Sequence, residues 1–531
     1  ITYGDWSSDV CSSDLMNNLS GALRFMGTEI EYGIMGKLNS DDDTNPIQTS
    51  NALIDAFSHN QKYSKRRPRW DYQDESPLAD VRGFVLPRND ADSSLLTDIA
   101  DSYTNLVLSN GGRYYVDHAH PEYSAPESTN PLDAMKFEMA GDQIIVKSLD
   151  ELRKLYPENA IKIYKNNTDG KGASYGAHEN YLVKREIPFS KIVQALTPFF
   201  IFRQIFVGSG RVGLGQYSEI PGFQISQRSD FFETEVGLET TLKRPIINTR
   251  DEPHSDASKF RRLHVIIGDS NRSQVSTFLK LALTSIILDM IENDYISEFP
   301  IFRKPVLALR STSQDIDFVR KYEFSNRADM NILDLADQIL DMMQNFCTQF
   351  DRIDDQTKAA LNLVTDILRE FRNGRIDSSF LVENVEWCAK YHILDQYRRR
   401  NNSDWDDPRL RYLDIQWSEI GSTSNVFEEL EKQSIHKRLV DPSLILRAAE
   451  SPPENTRAFL RGKLIEHFGA DIISASWDSI VIETDPLEPL QRISLMDPFW
   501  GSSQDAKRIL SRLGDPKYLA SDLVADLSKR P

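Results

Sequence analysis

The order of predicted strands and helices constrains the fold of this 531-residue chain more than any other feature. Short segments with the period-two alternation typical of strands lie in the first half, at residues 25–35, 113–117, 160–165, 178–185, 244–248 and 263–267. Long amphipathic segments typical of helices dominate the second half, at residues 273–294, 333–352, 356–372 and 379–399, after an earlier one at 190–206. Strands and helices segregated in this way predict an α+β fold, in which the sheet carries its helices on one face.

Composition and local sequence breaks predict the domain organisation. Residues 1–15 lack the basic start and the apolar core of a signal peptide and resemble translated sequencing-adapter DNA, so we expect a non-native leader before Met16. Residues 16–450 are expected to form the main domain. The Ser-Pro-Pro run at 451–453 marks a break, and residues 451–531 are long enough for a small C-terminal domain.

A long polar segment at about residues 38–84 interrupts the first part of the chain. It is rich in turn-forming residues and contains one short amphipathic stretch, at residues 52–57. Because ordered domains rarely carry so long a loop without using it, we predict a functional insertion. A helix is predicted next, at about 93–109, and an Asn-Gly-Gly turn then leads into the strand at 113–117.

Charge and cysteine content exclude several classes of protein. The chain has 62 Lys and Arg residues against 80 Asp and Glu, a net charge of −18, which disfavours general nucleic-acid binding. No uncharged apolar run reaches the length of a membrane span, so we predict no membrane insertion. Three cysteines without CxxC spacing support neither a disulfide framework nor a thiolate zinc site, and a reducing cytoplasm fits them best.

Glu29 and Glu31 are two residues apart on the first predicted strand. Their carboxylates therefore project from the same face, a spacing that suits neighbouring hard cations of the kind that neutralise nucleotide phosphates. From the spacing alone, an exposed acidic sheet face remains the alternative.

The second strand carries a denser set of polar residues. Arg113, Tyr115 and Asp117 alternate on one face, and Glu122 follows shortly after a His-Pro kink. These groups are costly to bury without a ligand, although a solvated edge strand would also explain them. Taken alone, His264 in its apolar strand fits a core histidine better than a metal ligand.

Several longer motifs, in this order, resemble the family of Pup-processing enzymes. The motifs are GTEIEYGI, YVDHAHPEYSAPE, PPENTRAFLRG and MDPF, and the resemblance extends from Met26 to about Phe499. The family comprises the Pup deamidase or depupylase and the Pup ligase of bacterial proteasome systems, and it is related to glutamine synthetase and the carboxylate-amine ligases. The insertion, which contains RWDYQDESPLADVRGF at 69–84, and the short Asp-His spacing resemble the depupylase branch more than the ligase branch.

The resemblance implies a glutamine-synthetase-like fold, with a curved antiparallel sheet cradle, helices packed on one face and a small C-terminal domain. It implies ATP and Mg²⁺ as cofactors and Asp117 as the catalytic residue. The metal positions that it implies are Glu29, Glu31, Tyr115, Glu122, His178 and His264. The ATP contacts that it implies are Arg113, Arg250 and Trp477. Candidate contacts with Pup are Arg203, Arg228 and the arginine run at 398–400.

The implied reaction is hydrolysis at the C-terminal residue of Pup, a small disordered protein tag. The enzyme would deamidate a terminal Gln to Glu and would cleave the isopeptide bond between Pup and a substrate lysine. Asp117 would act either as the nucleophile or as a general base. The alternatives are a Pup ligase that consumes ATP and a non-catalytic homologue that binds Pup. The expected partners are Pup and pupylated proteins.

Overall fold

The computed structural model describes residues 24–39, 44–59, 68–73, 75–91, 104–297, 299–421, 425–515 and 517–528. The strands are β1 (Met26–Glu31), β2 (Gly33–Met35), β3 (Arg69–Trp70), β4 (Ala79–Asp80), β5 (Phe84–Val85), β6 (Asn105–Val107), β7 (Arg113–Asp117), β8 (His120–Ser124), β9 (Lys162–Tyr164), β10 (Ala177–Lys184), β11 (Arg211–Leu214), β12 (Ile220–Gln224), β13 (Phe232–Gly237), β14 (Arg244–Asn248), β15 (Phe260–Val265), β16 (Lys321–Tyr322), β17 (Met330–Asn331), β18 (Glu419–Ile420), β19 (Ile472–Ala475), β20 (Ser479–Ile482) and β21 (Gln491–Ser494). The helices are α1 (Pro46–His59), α2 (Pro131–Leu155), α3 (Phe189–Val207), α4 (Gln274–Glu292), α5 (Pro305–Gln314), α6 (Ile332–Gln349), α7 (Asp355–Arg372), α8 (Ser379–Asn384), α9 (Glu386–Asn401), α10 (Pro408–Ser418), α11 (Val426–Lys432), α12 (Pro442–Ala448), α13 (Arg457–Phe468), α14 (Lys507–Leu513) and α15 (Ala520–Leu527).

The central sheet has six strands in the order β15-β10-β1-β8-β7-β6. All five neighbouring pairs are antiparallel. The sheet is assembled from the first half of the chain, and most helices follow it, which confirms the predicted α+β class.

One face of this sheet is apolar and packs on helices. Because side chains alternate between the two faces of a strand, Ile30 of β1, Tyr114 of β7 and Tyr123 of β8 point to the same face. There they form a core with residues of α1 and α2. Tyr181 of β10 and Leu263 of β15 belong to a second core with α3 and α4. Because the helices cover this face, the polar residues of the same strands lie on the opposite face.

Helix α4 shows how deep the helical layer is. Among the described residues, it is the one helix that is long and apolar enough to cross a membrane. Its most apolar 18-residue segment has a mean hydropathy of 1.4, yet 94% of that segment is buried inside the protein. Its sides contact α2, α3, α6 and α7. This burial is that of a core helix in a folded protein.

The last 75 residues build a separate apolar cluster from α13, β19, β20, β21, α14 and α15. Trp70 and Val107 join this cluster, and β3 extends its sheet by pairing in parallel with β19. The cluster corresponds to the predicted C-terminal domain together with one strand from the predicted insertion. The domain boundaries themselves stay a prediction.

Three predicted elements differ from the structure. Helix α1 spans Pro46–His59, well beyond the short amphipathic stretch predicted at 52–57, because Leu53 and Ile54 are fully buried against the sheet. The helix predicted at 93–109 is wrong at Asn105–Val107, which pairs with β7 as a strand; residues 92–103 lie outside the described residues, as does the predicted leader. The single helix predicted at 379–399 is broken at Val385, whose backbone is extended.

Candidate active site

The polar face of the central sheet collects the predicted site residues because residues directly opposite each other on paired strands share a face. Glu29 on β1 lies opposite His178 on β10, and Asn180 on β10 lies opposite His264 on β15. On the other side of β1, Glu31 lies opposite Glu122 of β8. Tyr115 and Asp117 of β7 complete the row.

One candidate metal group is formed by Glu29, His178 and His264, whose possible ligand atoms lie within 4.8 Å of one another. Nδ1 of His178 is 3.2 Å from Oε2 of Glu29, and Asn180 donates to Oε1 at 3.0 Å. Burial opposes ionisation of Glu29, but the hydrogen bond from His178 and the charges of His264 and Arg262 hold its pKa well below the usual value. One carboxylate with two imidazoles can bind a divalent cation.

A second candidate metal group consists only of carboxylates, from Glu31, Asp117 and Glu122, again within 4.8 Å. Burial and the charges of Asp117, Glu31 and Glu29 raise the pKa of Glu122 well above its usual value. Burial and Glu122 likewise raise the pKa of Tyr115. Three oxygen donors that repel one another are a donor set that fits a hard cation such as Mg²⁺.

Asp117 is hydrogen-bonded by the histidine that follows it in the sequence. Nδ1 of His118 lies 2.8 Å from Oδ2 of Asp117. Burial opposes ionisation of Asp117, but this hydrogen bond and the charges of His118 and His178 lower its pKa. The carboxylate is therefore ionised at neutral pH and is 35% exposed, so it is both charged and accessible.

The guanidinium of Arg113 lies in an aromatic cage. It stacks on Tyr115 at 3.7 Å and on Trp70 at 4.0 Å, and it donates to the hydroxyl of Tyr72 at 3.1 Å. Trp70 and Tyr72 come from the predicted insertion, which therefore covers this end of the site. A guanidinium held flat between rings is oriented with little loss of freedom on binding an anion.

A cleft with an empty volume of about 640 Å³ opens between the sheet and the C-terminal cluster. Glu29 and Asn180 line it from the sheet, while Trp477 and Arg457 line it from the other side. Half-buried His254 also lines it, and loss of hydration together with the charge of Arg262 lowers the pKa of its imidazole to about 4. Trp477 therefore offers an aromatic ring on one side of the cleft, and Glu29 of the first metal group lies on the other.

Arg250 and Arg262 stand at the edge of this cleft. Nη2 of Arg262 lies 3.2 Å from Oε2 of Glu252, and Nε of Arg250 lies 3.7 Å from the same oxygen. Arg262 also donates to Asn180 at 2.8 Å and lies 3.7 Å from Glu29. Sequence reasoning missed Arg262 and Asn180, although their period-two spacing from His264 and His178 places each pair on one sheet face.

The predicted contacts with Pup are not on an exposed groove. Arg203 is 3% exposed and forms a bidentate ion pair with Glu179 on the core side of the sheet, which excludes it from contact with a docked chain. Arg228 is 1% exposed, and one of its nitrogens donates to the carbonyl of Ile266. Burial and the charge of Arg244 lower its pKa to about 9, while the nearby Glu31 favours its charged form. The prediction of surface contacts at these two positions is wrong.

The arginine run at 398–400 ends helix α9 at the surface. Arg398 and Arg399 both pair with Asp395, at 2.7 Å and 2.6 Å. Positive side chains in the last turn also interact favourably with the helix dipole. This local role accounts for two of the three arginines without a partner protein.

Several known proteins are similar to this chain over most of its length. A family model described as "Pup-ligase protein" matches residues 24–481. The chain is 41% identical to a protein named "Depupylase" from Acidothermus cellulolyticus over 95% of its own length and 99% of that protein. It is 35% identical to a "Pup--protein ligase" from Kribbella flavida, over 68% of the chain and 80% of that ligase.

Two solved structures share the fold. One is the complex between Pup and its ligase PafA, which has a TM-score of 0.76 and 27% identity and covers 96% of this chain and 95% of that one. The other is the Pup ligase PafA in complex with ADP, with a TM-score of 0.70 and 30% identity, covering 81% of this chain and 94% of that one. The chain belongs to the Pup-ligase protein family.

Proposed function

We propose that the chain is a Pup deamidase and depupylase, an amidase that depends on ATP and Mg²⁺ and acts on the C-terminal residue of Pup. The observation that carries this proposal is Asp117, an ionised and accessible carboxylate beside a cluster of cation-binding acids. The relatives support the hydrolase over the ligase. The depupylase match is more similar and spans nearly the whole chain, whereas the ligase match leaves about a third of the chain uncovered.

The cleft would hold the nucleotide. Trp477 offers a ring against which a base can stack, and Arg113 and Arg250 offer positive charge for phosphates. Glu29 with its two histidines and Glu31 with Glu122 would hold divalent cations. Bound cations supply positive charge where the amide oxygen becomes negative in the transition state. The ADP bound to the related ligase supports the use of a nucleotide.

Asp117 would perform the chemical step on the amide. An amide carbonyl is a poor electrophile, so it needs either direct attack by the carboxylate or a water from which the carboxylate removes a proton. Both routes require the ionised form, which the hydrogen bond from His118 favours. The released group is ammonia when Pup ends in Gln, and a lysine amine when Pup is conjugated.

Pup and pupylated proteins would be the partners, because the related ligase has been solved in complex with Pup. We assign the enzyme to the cytoplasm. The two described cysteines, Cys347 and Cys388, are buried and form no disulfide, as expected in a reducing compartment.

The test is incubation of the protein with Pup ending in Gln, with ATP and Mg²⁺, followed by intact mass measurement. Conversion of the terminal amide to an acid, absent in Asp117→Asn, is the expected result. Release of Pup from a conjugate should occur without one ADP per bond cleaved. Bond formation coupled to ADP production would instead identify a ligase, and binding of Pup without any reaction would identify a non-catalytic homologue.

A further inference from the structure

The turn between β7 and β8 has only two residues and directly follows Asp117. Asp117 and His120 face each other across the hairpin, so His118 and Ala119 alone make the turn. His118 has a φ of +54°. In two-residue hairpin turns, a positive φ at the first central position favours glycine, because a Cβ is strained there.

A histidine at a position suited to glycine needs a compensating interaction, and the structure has one. Its ring nitrogen Nδ1 lies 2.8 Å from Oδ2 of Asp117. An ionised carboxylate can only accept, so the ring donates. Strained backbone beside a reactive group is characteristic of residues that orient a functional side chain.

The orientation matters because Asp117 is one of three acids that compete for the same place. Carboxylate oxygens of Asp117, Glu31 and Glu122 lie within 4.8 Å of one another. A ring N–H on Oδ2 takes one lone pair of the Asp117 carboxylate and fixes its orientation, which disfavours chelation of a cation by both oxygens. Nδ1 of His120 lies 3.6 Å from Oε2 of Glu31, which is too long for a hydrogen bond, and the hydrogen bond to Glu122 comes from Tyr115 of β7. No described residue of the two-residue turn other than His118 brings a ring nitrogen to these acids.

We propose that His118 is a positioning residue that holds Asp117 out of the metal ligand set and in the orientation for attack. This inference rests on the proposed function, in which Asp117 is the reacting carboxylate. His118 thereby decides which of three similar acids reacts and which two bind the cation.

The first test compares three variants in steady-state release of Pup from a conjugate. His118→Gly removes the ring and relieves the backbone, so its unfolding temperature should be no lower than that of the wild type. Its kcat should fall about 10- to 100-fold with KM nearly unchanged, as is typical when a supporting hydrogen bond is lost. His118→Asn keeps an amide donor and tolerates a positive φ, so it should recover most of the lost kcat.

A matched control separates the ring from the backbone. Ser434 is exposed, has a φ of +57° and lies in a different part of the chain. Ser434→Gly should therefore leave kcat unchanged. Wild-type kcat in His118→Gly, or a His118→Asn variant as impaired as His118→Gly, would overturn the proposal.

The second test does not use activity. Mn²⁺ binding is measured by calorimetry for the wild type, Asp117→Asn, His118→Gly and the double variant. If His118 keeps Asp117 away from the cation, Asp117→Asn should weaken binding about tenfold more in the His118→Gly background than in the wild type. Equal effects in both backgrounds would overturn the proposal.

The two proposals can fail separately. Wild-type turnover in Asp117→Asn would refute the proposed function, whatever His118 does. An inactive Asp117→Asn together with a fully active His118→Gly would refute only the positioning role.

Discussion

Glu127 fastens the C-terminal cluster to the central sheet, and its replacement by Gln should be strongly destabilising. Its carboxylate accepts from Arg457 at 2.7 Å and from Arg461 at 2.5 Å, both on α13. Arg461 is fully buried, and the Glu127 side chain is only 15% exposed. Glu127→Gln keeps the shape but leaves two guanidinium groups facing a neutral amide.

The magnitude follows from the pKa of Glu127. Burial opposes ionisation, but Arg461 and Arg457 lower this pKa from 4.5 to about 2. A difference of this size corresponds to about 3 kcal/mol, since each pKa unit is worth about 1.4 kcal/mol. Breaking a buried ion pair by removing one partner costs a similar amount, about 3–5 kcal/mol. We therefore expect Glu127→Gln to lower the free energy of unfolding by about 3 kcal/mol at pH 7.

The contribution of Glu127 to the free energy of unfolding should depend on pH. Because the folded pKa is lowered, the stabilisation is fully present above the unfolded value near 4.5 and is lost as pH falls towards about 2. Equilibrium urea unfolding of the wild type and the variant should therefore differ by a constant amount above pH 5 and converge below it. Glu450→Gln is the control, because its ion pair with Lys147 is exposed and should contribute less than about 1 kcal/mol. A Glu127→Gln loss as small as the control loss would refute the reasoning.

Four further expectations follow from the described geometry. Asp117→Asn should reduce amide hydrolysis by at least about a thousandfold while ATP binding, measured by calorimetry, stays near wild type. Glu122→Gln should weaken Mg²⁺ and nucleotide binding, because it removes a charged oxygen ligand, and unchanged dissociation constants would contradict this. Leu53→Ala should lower the free energy of unfolding by about 2–5 kcal/mol, since α1 is part of the core and not a dispensable loop. The pKa of buried His436 is lowered to about 4, so the wild type should lose up to about 3 kcal/mol as pH falls from 6.5 to 4, and His436→Gln should abolish this loss.

The sequence predicts the site better than it predicts the surroundings. Alternation alone places Glu29 with Glu31, and Arg113 with Tyr115 and Asp117, because the two faces of a strand are set by the backbone. Which strands are neighbours does not follow from alternation. Pairing of β1 with both β10 and β8, which joins these sets, depends on contacts between segments about 90 to 150 residues apart.

Burial of charged groups is equally invisible in the sequence. Arg203 lies within the apolar helix α3, and its charge alone favours a position in solvent, yet the structure turns it inward to Glu179. The helix predicted at 93–109 fails at its end for a related reason. Asn105–Val107 pairs with the edge of β7 as a strand, and tertiary pairing of this kind outweighs local helix propensity.

The two faces of the central sheet treat their charges differently, and this contrast identifies the ligand-binding face. On the core side, opposite charges are matched within the chain: Glu179 with Arg203, and Lys165 with Glu138 at 3.3 Å. On the opposite face, the carboxylates of Glu31, Asp117 and Glu122 lie together, and the pKa of Glu122 is raised as a result. A fold that can match buried charges on one face has no structural reason to oppose them on the other, so the acidic face is explained by the cations and phosphates that it would bind.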